Sequence, residues 1–104
     1  MVDNTGINAE TETKEKLLKL LSSNGVEYFY NAVQEESAEL IKAISHLRRK
    51  KPNFRQNLVV SLAQAQIVMD ILKICVFPVN QEKTLFEEIY QQELDKMLQG
   101  EDNG

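Results

Sequence analysis

Apolar positions recur along this chain every three or four residues, the spacing of α-helices that each bury one face. Leu17, Leu18, Leu20 and Leu21 form the first such face, in a segment that turns helical from Thr11. Asn24-Gly25 stops it, because glycine accepts the left-handed backbone that closes a helix. A second helix is predicted from about Val26 to Leu47, with Phe29, Ala32, Val33, Leu40, Ala43, Ile44 and Leu47 on its core face. Pro52 disfavours helix at the residue before it, so residues 48–53 read as a polar loop. The third segment, about Arg55 to Phe77, is apolar almost all round, and only Gln66, Asp70 and Lys73 mark a solvent side. A helix of that kind normally sits at the centre of a bundle. Pro78 and Asn80 end it. The fourth helix is predicted to begin at Thr84, where Thr84 and Glu87 have capping-box spacing. Phe86, Ile89, Tyr90, Leu94, Met97 and Leu98 form its stripe, and Gly100 closes it.

No strand signal and no internal repeat interrupts this pattern. The expected fold is all-α: a four-helix bundle forming one domain over residues 11–99. A loose polar arm over residues 1–10 precedes it, and residues 100–104 are expected to fray.

Composition fits that picture. The chain has 104 residues, 42% of them hydrophobic, 27% charged, and a net charge of −4, as expected of one soluble globular domain. A chain of this size closes a core with little surplus stability, so self-association would help it. Its acidity argues against a general nucleic-acid binder. A single cysteine, Cys75, leaves no internal disulfide and fits a reducing compartment. Met1 to Glu10 lacks the basic-then-apolar pattern of a signal peptide. The most apolar stretch, Ile67 to Phe77, carries Asp70 and Lys73 and reads as too short and too charged to span a bilayer. A cytoplasmic protein with no membrane partner is the expectation.

The informative feature is polar groups on apolar faces. At 100° per residue, Glu36 falls between Ala32/Val33 and Leu40 on the stripe of the second helix. Glu39 lies about 60° from Glu36, and Glu35 about 40° from Glu39. Three carboxylates thus crowd one quadrant, where a buried unpaired carboxylate is costly and a positive partner is expected. The plain alternative is a solvated acidic face with Glu39 paired to Lys42. On the third helix Asn57, Ser61 and Gln64 lie within about 60° of one another, opposite the solvent stripe. An inward polar ridge needs hydrogen-bond partners. The glutamates are candidates to accept from it; satisfied core side chains are the alternative.

The stretch Gln34-Glu35-Glu36-Ser37-Ala38-Glu39-Leu40-Ile41-Lys42-Ala43-Ile44, after Gly25-Val26-Glu27, resembles the first motif, EExxE, of the MazG-like family. These are all-α nucleoside triphosphate pyrophosphohydrolases, and the likeness is to a short form seen in Gram-positive bacteria and their phages. It covers about residues 17–98. The family's second motif, ExxD, follows an Asn-Leu matched here by Asn57-Leu58, but its acidic positions fall on Ser61 and Gln64. The resemblance implies a bundle that dimerises through its central helices. It also implies Mg²⁺ held by carboxylates of both motifs, cleaving between the α and β phosphates. Magnesium takes hard anionic oxygens, so Glu35, Glu36 and Glu39 would face two neutral groups. Mg²⁺ binding is therefore expected to be weak or absent, and hydrolysis lost or severely weakened. Asp70 does not restore the site, being about 240° round the helix from Gln64.

Arg48, Arg49, Lys50, Lys51 and Arg55 place five of the twelve cations within eight residues. They complement the dipole of the second helix and are candidates for contact with a phosphate or an acidic partner. His46 and Cys75 have no catalytic context. Three functions remain open at this point. The chain is a degenerate homologue binding a nucleotide or other phosphorylated molecule, a helical protein-interaction module, or a still-active Mg²⁺-dependent pyrophosphohydrolase releasing NMP and pyrophosphate. A homodimer or higher oligomer is expected in each case.

Overall fold

The computed structural model describes the backbone of residues 5–77 and 80–103, and the side chains of residues 9–77 and 84–100. Four α-helices account for nearly all of it: α1 (Thr5–Asn24), α2 (Val26–Arg48), α3 (Phe54–Val76) and α4 (Asn80–Asn103). No strand occurs among the described residues.

Helices α1 and α2 are separated by Gly25 alone, whose φ of 87° and ψ of 164° lie where a side chain is strained. Its amide donates to the Leu21 carbonyl at 2.8 Å, and the Asn24 side-chain amide donates to the Leu20 carbonyl at 2.9 Å. Those bonds satisfy carbonyls that the end of α1 would otherwise leave open. Beyond Gly25, α2 contacts α1. Between α2 and α3 the turn uses two non-glycine residues with positive φ, Lys50 at 53° and Asn53 at 61°. Asparagine tolerates that conformation; lysine does so rarely.

Helix boundaries at the chain's two ends differ from the periodicity-based expectation. α1 begins at Thr5, not Thr11. α4 begins at Asn80, so Thr84 and Glu87 lie inside the helix and form no capping box at its start. α4 also runs through Gly100, which a helix tolerates at a cost of about 1 kcal/mol. Pro78, expected to end α3, lies outside the described residues.

The chain divides into two compact units, residues 1–72 and 73–104. In the first, Phe29, Ala32 and Ala43 of α2 are buried, as are Ala65, Val68 and Ile71 of α3, with Ile71 at 0% exposure. Leu17 and Leu21 of α1 are half-buried, whereas Leu18 and Leu20 are exposed. The far end of the α2 stripe departs from expectation, since Ile44 and Leu47 are exposed. α3 is not the covered central helix that its composition predicts, because Val59, Val60, Leu62, Ile67 and Met69 all remain exposed. As a whole it is 23 residues long with a mean hydropathy of 1.7 in its most apolar window, long and apolar enough to cross a bilayer. The stretch Ile67–Phe77 alone understated that length.

In the second unit, Phe86 of α4 meets Phe77 edge-on, with centroids 5.9 Å apart. Tyr90 lies 6.3 Å further along. The Lys73 ammonium sits 4.3 Å above the Phe86 ring, a cation–π contact.

Candidate functional site

Glu36 is where the sequence and the structure meet most closely. Phe29, Ala32 and Ala43 turn one face of α2 inward, and the helical repeat carries Glu36 onto that face. The residue is half-buried. Its Oε2 is fully shielded from solvent and has no hydrogen-bond partner among the described residues. A carboxylate oxygen in that position has lost its water and gained nothing in return, which costs free energy until a donor or cation reaches it.

The other two glutamates of the EExxE pattern stand apart from this environment, with Glu35 and Glu39 exposed. Among the described residues no three side chains of the types His, Cys, Asp and Glu converge as a metal site would require.

On α3 the expected inward polar ridge is not formed. Asn57 and Gln64 are exposed, and only Ser61 is half-buried. Ser61 lies in the row Leu58, Ser61, Ala65, Val68, spaced as one face of the helix. The buried members of that row, Ala65 and Val68, fix which side points inward. Gln64 sits at the margin of the face and turns outward. The expected donation from Ser61 and Gln64 to Glu36 is absent at Oε2. The expected solvent stripe is more enclosed than predicted. Gln66 is exposed and donates to Asp70 Oδ1 at 2.8 Å, but Asp70 and Lys73 are half-buried.

The donor set therefore falls short of a pair of magnesium ions. Each Mg²⁺ takes about six oxygens in tight octahedral geometry, with anionic ligands to offset its charge. Here Glu36 offers one shielded carboxylate oxygen, and the second-motif positions on α3, Ser61 and Gln64, are neutral.

Arg48, Arg49, Lys50, Lys51 and Arg55 are all exposed around the α2–α3 turn. The Arg49 guanidinium donates to Ser45 Oγ at 2.9 Å. Only Arg48 of this group lies in the last turn of α2, where the helix dipole favours a cation. Arg55 is in the first turn of α3, where the dipole opposes one. The dipole thus does not explain the whole cluster. The Lys73–Phe86 contact was not foreseen, because it joins residues far apart in sequence that no local periodicity links.

Comparison with protein families, with curated proteins and with solved structures finds no match to this chain.

Proposed function

We propose that this chain is a catalytically degenerate relative of the MazG-like pyrophosphohydrolases, which binds a nucleotide or similar phosphorylated ligand without efficient hydrolysis. The shielded, unpartnered Oε2 of Glu36 carries this reading. A buried acceptor without a donor is completed by what binds there. A nucleotide's amino or hydroxyl groups, or one cation brought in with its phosphates, would satisfy it. The neutral Ser61 and Gln64 at the second-motif positions support loss of turnover, since they bring no charge to offset two divalent ions. Residence in the cytoplasm belongs to the same proposal and rests on the lone Cys75, which fits a reducing compartment.

The test is thermal melting against a panel of nucleoside mono-, di- and triphosphates, with and without Mg²⁺. Binding to the native state at about 100 times Kd raises stability by about 2.7 kcal/mol, and Glu36→Gln should abolish the rise. The double variant Ser61→Glu with Gln64→Asp is expected to gain chelator-sensitive pyrophosphate release. Pyrophosphate release by the unaltered chain, above a Glu36→Gln control, would overturn the reading in favour of an active enzyme.

A second reading, a helical interaction module, is favoured by the exposed apolar side of α3 at Val59, Val60, Leu62, Ile67 and Met69. They flank the Gln66/Asp70/Lys73 stripe on both sides of the outer face of α3, and clustered exposed apolar side chains mark association sites. Pairing of two copies through α3 would cover it. A flat nucleotide panel together with a stable, nucleotide-independent oligomer would favour this reading.

A further inference from the structure

Charge in this chain is segregated. From Lys42 to Arg55 there are six cations and no carboxylate, while from Thr84 to Gly100 there are four carboxylates and one lysine. Among the described residues the single ion pair is Lys96 with Glu93, at 3.3 Å. The cations of the α2–α3 corner therefore have no carboxylate partner among the described residues.

Each charged region also carries exposed apolar side chains. On α4, Ile89, Leu94 and Met97 are exposed, Met97 to 70%. Glu93 sits among them in the wall of one shallow groove. A carboxylate in the middle of an apolar stripe selects a partner that brings both apolar surface and positive charge. Lys96 answers Glu93 only from the side, in an exposed pair that contributes little. The α2–α3 corner has the complementary composition. Ile41, at 70% exposure, with Ile44 and Leu47, lies exposed on the last three turns of α2, next to Arg48, Lys50 and Lys51.

We propose that the α4 stripe is a docking face for a second copy of this chain, seated against that copy's cationic α2–α3 corner. Ile41, Ile44 and Leu47 of one copy cover the α4 stripe of the other, and Lys50 and Lys51 approach Glu87 and Glu93. Complementary charge sets partner choice and register, while the apolar contact supplies cohesion. The interface is separate from Glu36 and from the α3 pairing considered above, so it stands or falls independently of nucleotide binding.

A charge swap tests it. The variants Lys50→Glu/Lys51→Glu and Glu87→Lys/Glu93→Lys are each expected to associate at least about tenfold more weakly than the unaltered chain in sedimentation velocity. Mixed in equal amounts they should recover the original association, because both cross-contacts again join opposite charges. Circular dichroism confirms that the variants keep their helicity. The unaltered chain gives an independent measurement. Its dissociation constant should rise about tenfold or more between 0.05 and 1 M NaCl, as screening shortens from more than 10 Å to about 3 Å. Three results would each overturn the proposal: a monomer at all salt concentrations, association indifferent to both variants, or variants weakened but not rescued by mixing. The last would mean that these charges do not meet each other across the interface.

Discussion

At the residue scale the decisive group is Glu36. The helical repeat alone placed it on the buried face of α2, since no rotation that buries Phe29, Ala32 and Ala43 leaves position 36 in solvent. What the repeat did not disclose is that no donor among the described residues reaches its Oε2. That yields a prediction opposite to the usual one for a charged residue in a core. In chelator-treated, ligand-free protein, Glu36→Met should be neutral or stabilising by about 1 kcal/mol in urea denaturation, because the substitution removes an unmet polar group. A loss of more than about 1 kcal/mol would show that the carboxylate has a partner. Ile71, fully enclosed, is the contrasting case. Ile71→Ala should cost about 2–5 kcal/mol on the same denaturant axis.

At the element scale, helix identity was legible and helix ends were not. α2 and α3 begin and end within a residue of their expected positions because strong signals flank them, Gly25 before α2 and Pro52 between the two. Thr84 misled because a Thr-x-x-Glu spacing works as a cap only where the preceding residues are non-helical, and α4 already runs from Asn80. Gly100 misled because an isolated glycine weakens a helix without ending it. Two glycine substitutions separate these roles. Gly25→Ala should destabilise by about 1–3 kcal/mol, since its backbone conformation is nearly closed to side chains even though a Cβ would meet no atom within 4 Å. Gly100→Ala, also in open space, should raise helical content and cost nothing, with a gain of at most about 1 kcal/mol. Thermal melts followed by circular dichroism read both.

At the scale of the whole molecule, apolar exposure dominates. Burial reaches only six hydrophobic side chains among the described residues, while α3 and α4 each present exposed apolar surface. Such surface drives association, and the melting temperature should therefore rise with protein concentration. For a folded state that is dimeric, each tenfold increase adds about 1.4 kcal/mol of apparent stability. A melting temperature independent of concentration would count against self-association.

The sequence by itself determined that the chain is helical, where its central turns fall, and that a carboxylate lies on a buried face. All of these follow from spacing and from the backbone preferences of glycine and proline, which act over a few residues. Tertiary structure alone decided which apolar faces find cover. It left the outer side of α3 exposed, turned Gln64 and Asn57 outward, set Lys73 over Phe86 and left Glu36 Oε2 without a donor among the described residues. Those outcomes depend on contacts between helices, and a helical period is the same whether or not another surface arrives to meet it.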